Sequence, residues 1–266
     1  MGSFALLAVA LPFLAAPERP ETGNPGLHTL LLTAVAAALL GFFFFVCSNR
    51  LYYCQHELKR FGTGVITSEL PVDCSDFAAA HGLRGRFLND WQYGGYLVWR
   101  LWPQIRVAED GRTAPFPAAL HQQLDAVFAG DAAALKSVQL RYRPAGAFVP
   151  WINGSLIAHL SRDPDWHCVF IGSHSTLWLT SEAVVRFGMQ SLCIRQENAQ
   201  RFVIRDPCQA RAEDPWLTYP TALFRRGFVL LCMGHVTAAR EELLRLREVA
   251  PSSPLTRRLE DLLGVR

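Results

Sequence analysis

Apolar residues fall into one long unbroken run near the start of the chain, short runs bracketed by turn residues, and a helical-period stretch at the end. Leu27 to Cys47 carries no formal charge, and its only polar side chains, His28, Thr29 and Thr33, lie near its start. At about 1.5 Å per residue, some twenty helical residues span about 30 Å, the thickness of a bilayer's hydrocarbon core. The run therefore predicts a transmembrane helix, with Arg50, Tyr52 and Tyr53 as anchors at the membrane interface. Residues 2–16 are apolar but short for a full span, are broken by Pro12, and lack the leading Lys or Arg of a secretory signal. The end of a membrane helix, an interfacial segment or an atypical signal all fit. Pro17 to Gly26 reads as a tight connection, and Leu51 to Phe61 as an amphipathic helix at the membrane surface.

The short runs begin at Gly85. Arg86-Phe87-Leu88 predicts a strand, Asn89-Asp90 its exit turn, and Tyr93 to Leu101 a short apolar helix or tight crossover entered through Gly94-Gly95 and ended by Pro103. Ile105 to Ala108 predicts a second strand. Ala118 to Phe128 and Ala132 to Leu140 read as helices separated by Gly130-Asp131, and Ala147 to Val149 as a strand. Asn153 or Ser155 is placed to cap a helix running to Arg162. Trp166 to Ile171 and Thr176 to Leu179 read as two strands around the turn Gly172-Ser173-His174-Ser175. The order β-α-β-α-β-α-β-β predicts a three-layer α/β domain with a partly parallel sheet and an antiparallel hairpin at one edge. A helix near Glu182 to Phe187 and an element near Arg201 to Ile204 complete the connection to the tail. The expected organisation is a membrane segment over 1–50, a connector over 51–84, the α/β domain over 85–180, a second connector over 181–215 and an α-helical hairpin over 216–266.

The tail resembles one tetratricopeptide repeat. Leu223, Gly227, Leu230, Gly234, Ala239, Leu243 and Pro251 stand at the offsets where small residues let two antiparallel helices approach and large ones fill between them. Leu246 departs from the pattern, standing where a small residue is usual, and Leu255 to Leu263 would cap the hairpin. Such a hairpin either packs on the α/β domain or offers a groove to a partner.

Composition narrows the field. The formal charge is +3, with dispersed Lys and Arg, which gives no footprint for nucleic acid. Seven cysteines without a C-x-x-C pair do not make a disulfide framework. Cys193 and Cys208 could pair in an oxidising compartment, and buried thiols are the plainer reading. Cys54, His56 and Cys74 lack the paired spacing of a metal site, and no metal or cofactor is expected.

Polar groups at strand C-termini of an α/β sheet are where ligands tend to bind, which makes Asn89, Asp90, Asp110 and Arg112 candidates, with Tyr96 as an aromatic platform for a sugar. Arg112 offers a fork for phosphate or carboxylate, and Asp110 an oxygen pair for a sugar hydroxyl or a metal. The same residues can equally pair with each other about Gly111, Asn89 and Asp90 can satisfy turn backbone groups, and Tyr96 and Trp99 can be core. The turn at Ser173 is not a nucleophile elbow.

Asn89, Gly94-Gly95-Tyr96-Leu97, Trp99, Pro103 and Asp110-Gly111-Arg112, with the later strands at 147–150 and 166–179, resemble the soluble C-terminal domain of bacterial polytopic membrane proteins of the GT-C glycosyltransferase group. These are similar to dolichyl-phosphate-mannose-dependent and oligosaccharyl transferases. The resemblance covers about residues 80–180 and the preceding membrane helix. It implies a domain on the extracytoplasmic side of a bacterial inner membrane. Arg50, Lys59 and Arg60 after the helix, against Arg19 before it, point instead to the cytoplasm. Such enzymes carry their catalytic acid in a long loop after the first helix; here the early acids Glu18 and Glu21 lie in a short connection. The expectation is thus an accessory or truncated form without its own catalytic acid. It would sit in the lipid bilayer beside a multi-helix glycosyltransferase subunit or another protein. The alternatives are a non-enzymatic interaction module acting through its helical tail, and an active transferase on a lipid-linked sugar donor that needs a partner chain to supply the catalytic acid and cavity.

Overall fold

A computed structural model describes residues 25–51, 61–65, 69–112, 116–199 and 221–265. The expectations for residues 1–16, for Glu18 and Glu21, for most of 51–61, for Arg201 to Ile204 and for Cys208 lie outside the described residues. Two compact units result, one holding the apolar helix and the other everything from Thr63 onward.

In the first unit, helix α1 spans Pro25–Cys47. Its side chains from Thr29 to Phe44 are exposed, and it is long and apolar enough to cross a membrane. Asn49 ends it in the left-handed region with φ 62°, a conformation that asparagine tolerates better than most residues. The Asn49 side-chain oxygen accepts from the Phe61 backbone N–H at 2.6 Å.

The second unit is built on a five-stranded mixed sheet of order β2-β1-β3-β5-β4. The strands are β1 (Gly85–Asn89), β2 (Ile105–Val107), β3 (Gly146–Pro150), β4 (Trp166–Ile171) and β5 (Ser175–Thr180). β1 runs parallel to both β2 and β3, while β5 is antiparallel to β3 and to β4. The hairpin therefore closes one edge, as the order of elements predicts.

Both faces of this sheet are covered, so its strands are almost continuously apolar rather than alternating. One face carries Leu88, Ala147, Val149, Cys168 and Trp178 against helices α4 (Ala118–Ala129), α5 (Ala132–Tyr142) and α6 (Gly154–Arg162). The other carries Phe87, Ile105, Phe148, Val169, Leu177 and Leu179 against α2 (Val72–Ala80), α3 (Trp91–Leu101) and α7 (Ser181–Arg186). A register shift between Cys168 and Phe170 lets β4 keep an apolar residue on each face.

Local chemistry sets the boundaries. Gly130 takes the left-handed conformation that ends α4 (φ 96°), and the Asp131 carboxylate then caps α5 by accepting from Ala133 N and Ala134 N. Three expectations are corrected. Helix α3 starts at Trp91, not at Tyr93, because Asp90 caps it by accepting from Gln92 N. The glycine pair thus lies inside the helix. Trp99 is 70% exposed rather than core: Tyr93, Leu97 and Leu101, spaced by four, take the buried face and leave Trp99 on the opposite one. Asn153 does not cap α6 through its side chain; its Nδ2 donates instead to Phe128 O at 2.8 Å. Cys74, Cys168 and Cys193 are free and buried.

The tail forms α8 (Thr221–Cys232), α9 (Val236–Val249) and α10 (Pro254–Leu263). Val229, Leu230, Met233, Ala238 and Ala239 join the α/β core, while Leu223, Phe224, Leu243, Leu246 and Leu259 make a second cluster with α10. Gly227 marks the close approach: a Cβ there would lie 2.7 Å from Leu259 Cδ2. Leu246, the departure from the repeat pattern, is fully buried in that cluster.

Candidate functional site

The C-terminal ends of β1, β2 and β3 bring together Asn89-Asp90, Ala108-Glu109-Asp110 and Trp151, with the hairpin turn at Ser173-His174 beside them. Asn89 is fully buried. Its Nδ2 donates to Glu109 O (2.8 Å) and Asp90 O (2.9 Å), and its Oδ1 accepts from Ala108 N (2.8 Å). One side chain thereby ties the exit of β1 to the exit of β2. Gly94 completes the brace by letting α3 lie directly on the backbone of Glu109 and Asp110.

Asp110 is buried, and its carboxylate accepts from Arg112 N at 2.9 Å and from the Arg112 guanidinium at 2.5–3.1 Å. Those bonds hold its carboxyl below the usual carboxylate value. The Arg112 side chain is 72% exposed, so the turn is closed from outside by its own arginine. Asp90 caps α3. Tyr96 stands apart from these groups, its hydroxyl accepting from Ser75 Oγ of α2 at 3.3 Å and its ring 5.8 Å from Trp99.

Two clusters at the same end of the sheet escaped the sequence reading. In the first, buried Glu109 accepts from His121 Nδ1 of α4 at 2.5 Å. Desolvation raises the Glu109 carboxyl above its ordinary value, against the opposing pull of His121, with Asp125 and Asp90 adding to the rise. A carboxyl raised in the fold is ionised at a cost to folding, so stability falls as pH rises from its ordinary value of 4.5 through the raised one. Glu109→Gln is therefore expected to flatten a pH series of unfolding midpoints on the alkaline side of 4.5. An unchanged slope would refute the assignment.

In the second cluster, the hydroxyl of buried Tyr93 lies 2.6 Å from His174 Nδ1. Burial lowers the His174 imidazole to about 4, with nearby Arg225 acting in the same direction. Burial likewise pushes the Tyr93 phenol up. Arg225 of α8 donates to Ser173 O at 3.3 Å and sits 5.2 Å over the Trp151 ring, which also meets Phe224 and Phe228 edge-on. His174 was readable only as a turn residue, and Arg225 lies 52 positions from Ser173, so no local spacing joins them.

Chemically, the first cluster is an imidazole oriented by a carboxylate and the second a neutral imidazole bonded to a phenol. Among the described residues no group of three or more His, Cys, Asp and Glu is placed to hold a metal ion. Comparison with family models, curated proteins and solved structures returns no match.

Proposed function

We propose that this chain is a membrane-anchored accessory domain. Helix α1 inserts in a bilayer, and the α/β unit with its helical tail serves a multi-helix glycosyltransferase of the GT-C kind without supplying a catalytic acid. The observation that carries the reading is α1 itself, apolar and exposed from Thr29 to Phe44, in a chain whose other described helices bury an apolar face. The second support is the strand-end brace. Asn89 spends its amide on backbone groups and Asp110 its carboxylate on Arg112, which suits a loop that shapes a surface. The sequence resemblance over residues 80–180 supplies the class of partner, and with it the extracytoplasmic placement.

Anchoring is tested by deleting residues 25–47. The full chain is expected to stay with the membrane pellet after alkaline carbonate extraction, and the deletion variant to be released. Placement is tested by Ala132→Cys at the exposed start of α5, labelled with a membrane-impermeant thiol reagent over the background of the native cysteines. Labelling of intact spheroplasts supports the extracytoplasmic placement; labelling only after lysis removes it. A photoreactive amino acid at exposed Trp99 is expected to give an adduct with a multi-spanning membrane protein. Adducts with lipid or a second copy alone would sink the accessory role.

A further inference from the structure

At the opposite end of the sheet from the brace, a cleft of about 250 Å³ opens between the start of β1, the end of α5 and α7. Its charged lining is Arg86, Arg143, Arg186 and Glu182, with Tyr142 and Thr180 between them. Three arginines and one glutamate leave a formal charge of +2 at the cleft. Arg86 Nη1 donates to Tyr142 O at 3.3 Å, covering a carbonyl at the negative end of α5, and Arg186 pairs with Glu182 one turn away. The Arg143 guanidinium has no side-chain partner among the described residues.

Arg143 is the telling position. It follows α5 in the left-handed region, with φ 46° and ψ 59°. That place after a helix is ordinarily taken by glycine or asparagine, because any other side chain destabilises the left-handed backbone. An arginine here sacrifices stability and adds a third arginine to a cleft lined by two others. Guanidinium groups from three separate elements suit a tetrahedral anion with several acceptor oxygens better than a planar carboxylate, which one fork satisfies. A phosphomonoester carries about −1.5 to −2 at neutral pH, which matches the cleft's charge. The volume lies below the usual range for drug-sized ligands, which limits the occupant to a phosphate with a small substituent or a lipid headgroup.

We propose that the cleft between Arg86, Arg143 and Arg186 is a binding site for a phosphate group. The test uses the full chain in phosphatidylcholine nanodiscs, titrated calorimetrically with inorganic phosphate, glucose 1-phosphate and succinate. Saturable binding of a phosphate probe, with succinate at least tenfold weaker, is expected. Arg143→Gly separates binding from folding. It relieves the left-handed strain, so its unfolding midpoint is expected to stay or rise while phosphate affinity drops about tenfold or more, the scale of a lost charged hydrogen bond. Arg86→Gln is expected to weaken binding likewise, and Arg257→Gln, which removes an equal charge from the exposed face of α10, to leave it unchanged. Nanodiscs containing phosphatidic acid identify the source: competition with the soluble probes assigns a lipid headgroup, and its absence a soluble phosphate compound. No saturable phosphate binding would overturn the proposal. So would succinate binding as tightly, retention of affinity in Arg143→Gly, or equal loss in Arg257→Gln.

Discussion

Gly94→Ala is expected to cost about 3 kcal/mol of folding free energy or more, the upper range for overpacking, while Gly95→Ala is expected to stabilise the same helix by about 0.5–1 kcal/mol. The two glycines are adjacent in α3, yet their surroundings are opposite. A Cβ on Gly94 would lie 2.1 Å from Glu109 O, 2.5 Å from Asp110 Cα and 2.8 Å from Asp110 Cβ. Two of those atoms are backbone, held by the Asn89 amide and by the Asp110–Arg112 turn, so no side-chain rotation relieves the clash. A Cβ on Gly95 meets nothing within 4 Å, and there alanine only removes the entropic cost of glycine in a helix. Chemical denaturation of the detergent-solubilised chain, followed by tryptophan fluorescence, measures both. Equal costs at the two positions, or a gain at Gly94, would mean that α3 does not rest on the β2 exit.

That contrast marks how far the sequence could be read. The strands were legible because each is a short apolar run closed by Gly, Pro or polar turn residues, and a sheet buried on both faces produces such runs. Helix α2 was not legible, since its buried face is Cys74, Ser75 and Ala78, small residues with no contrast of size or polarity against their neighbours. Gly94-Gly95 read as a helix entry because a glycine pair disfavours helix. Only the tertiary approach of β2 explains why one of them is needed there and the other is not. The candidate residues at the strand ends were found from topology alone, and Asn89, Asp90 and Asp110 do lie where the strands β1 and β2 end. What they bond to was not readable. The Glu109–His121 pair joins a strand exit to a helix face, and Tyr93, His174 and Arg225 come from three elements that only the folded sheet assembles. Arg143 was equally silent, because its oddity lies in a backbone angle.

The largest loss is expected at Asn89, whose amide is the hinge pin of the strand-end brace. Asn89→Ala leaves the buried Glu109 carbonyl and the part-buried Ala108 N–H without their partner, while Asp90 O keeps the Tyr93 N–H, and at about 1–3 kcal/mol for each unsatisfied group the cost is about 2–4 kcal/mol. Asn89→Asp preserves shape and volume but is expected to be worse at neutral pH. The carboxylate still accepts from Ala108 N, yet its second oxygen replaces the donor that faced Asp90 O and Glu109 O, placing a buried charge against two acceptors. A loss of about 4 kcal/mol or more would consume much of the 5–15 kcal/mol that holds a typical domain together. The sign of the pH dependence separates this account from a generic packing defect. Burial against carbonyl oxygens raises the introduced carboxyl in the folded state above its unfolded value near 4. Its penalty is therefore full above the raised value and shrinks as pH falls toward 4, where the protonated acid can donate to one of the two carbonyls again. Asn89→Asp should then recover stability relative to Asn89→Ala as the buffer is acidified, read as converging denaturation midpoints. A gap between the two variants that stays constant from neutral pH to 4 would show that the side chain is not donating to the β2 exit, and the brace would have to be sought elsewhere.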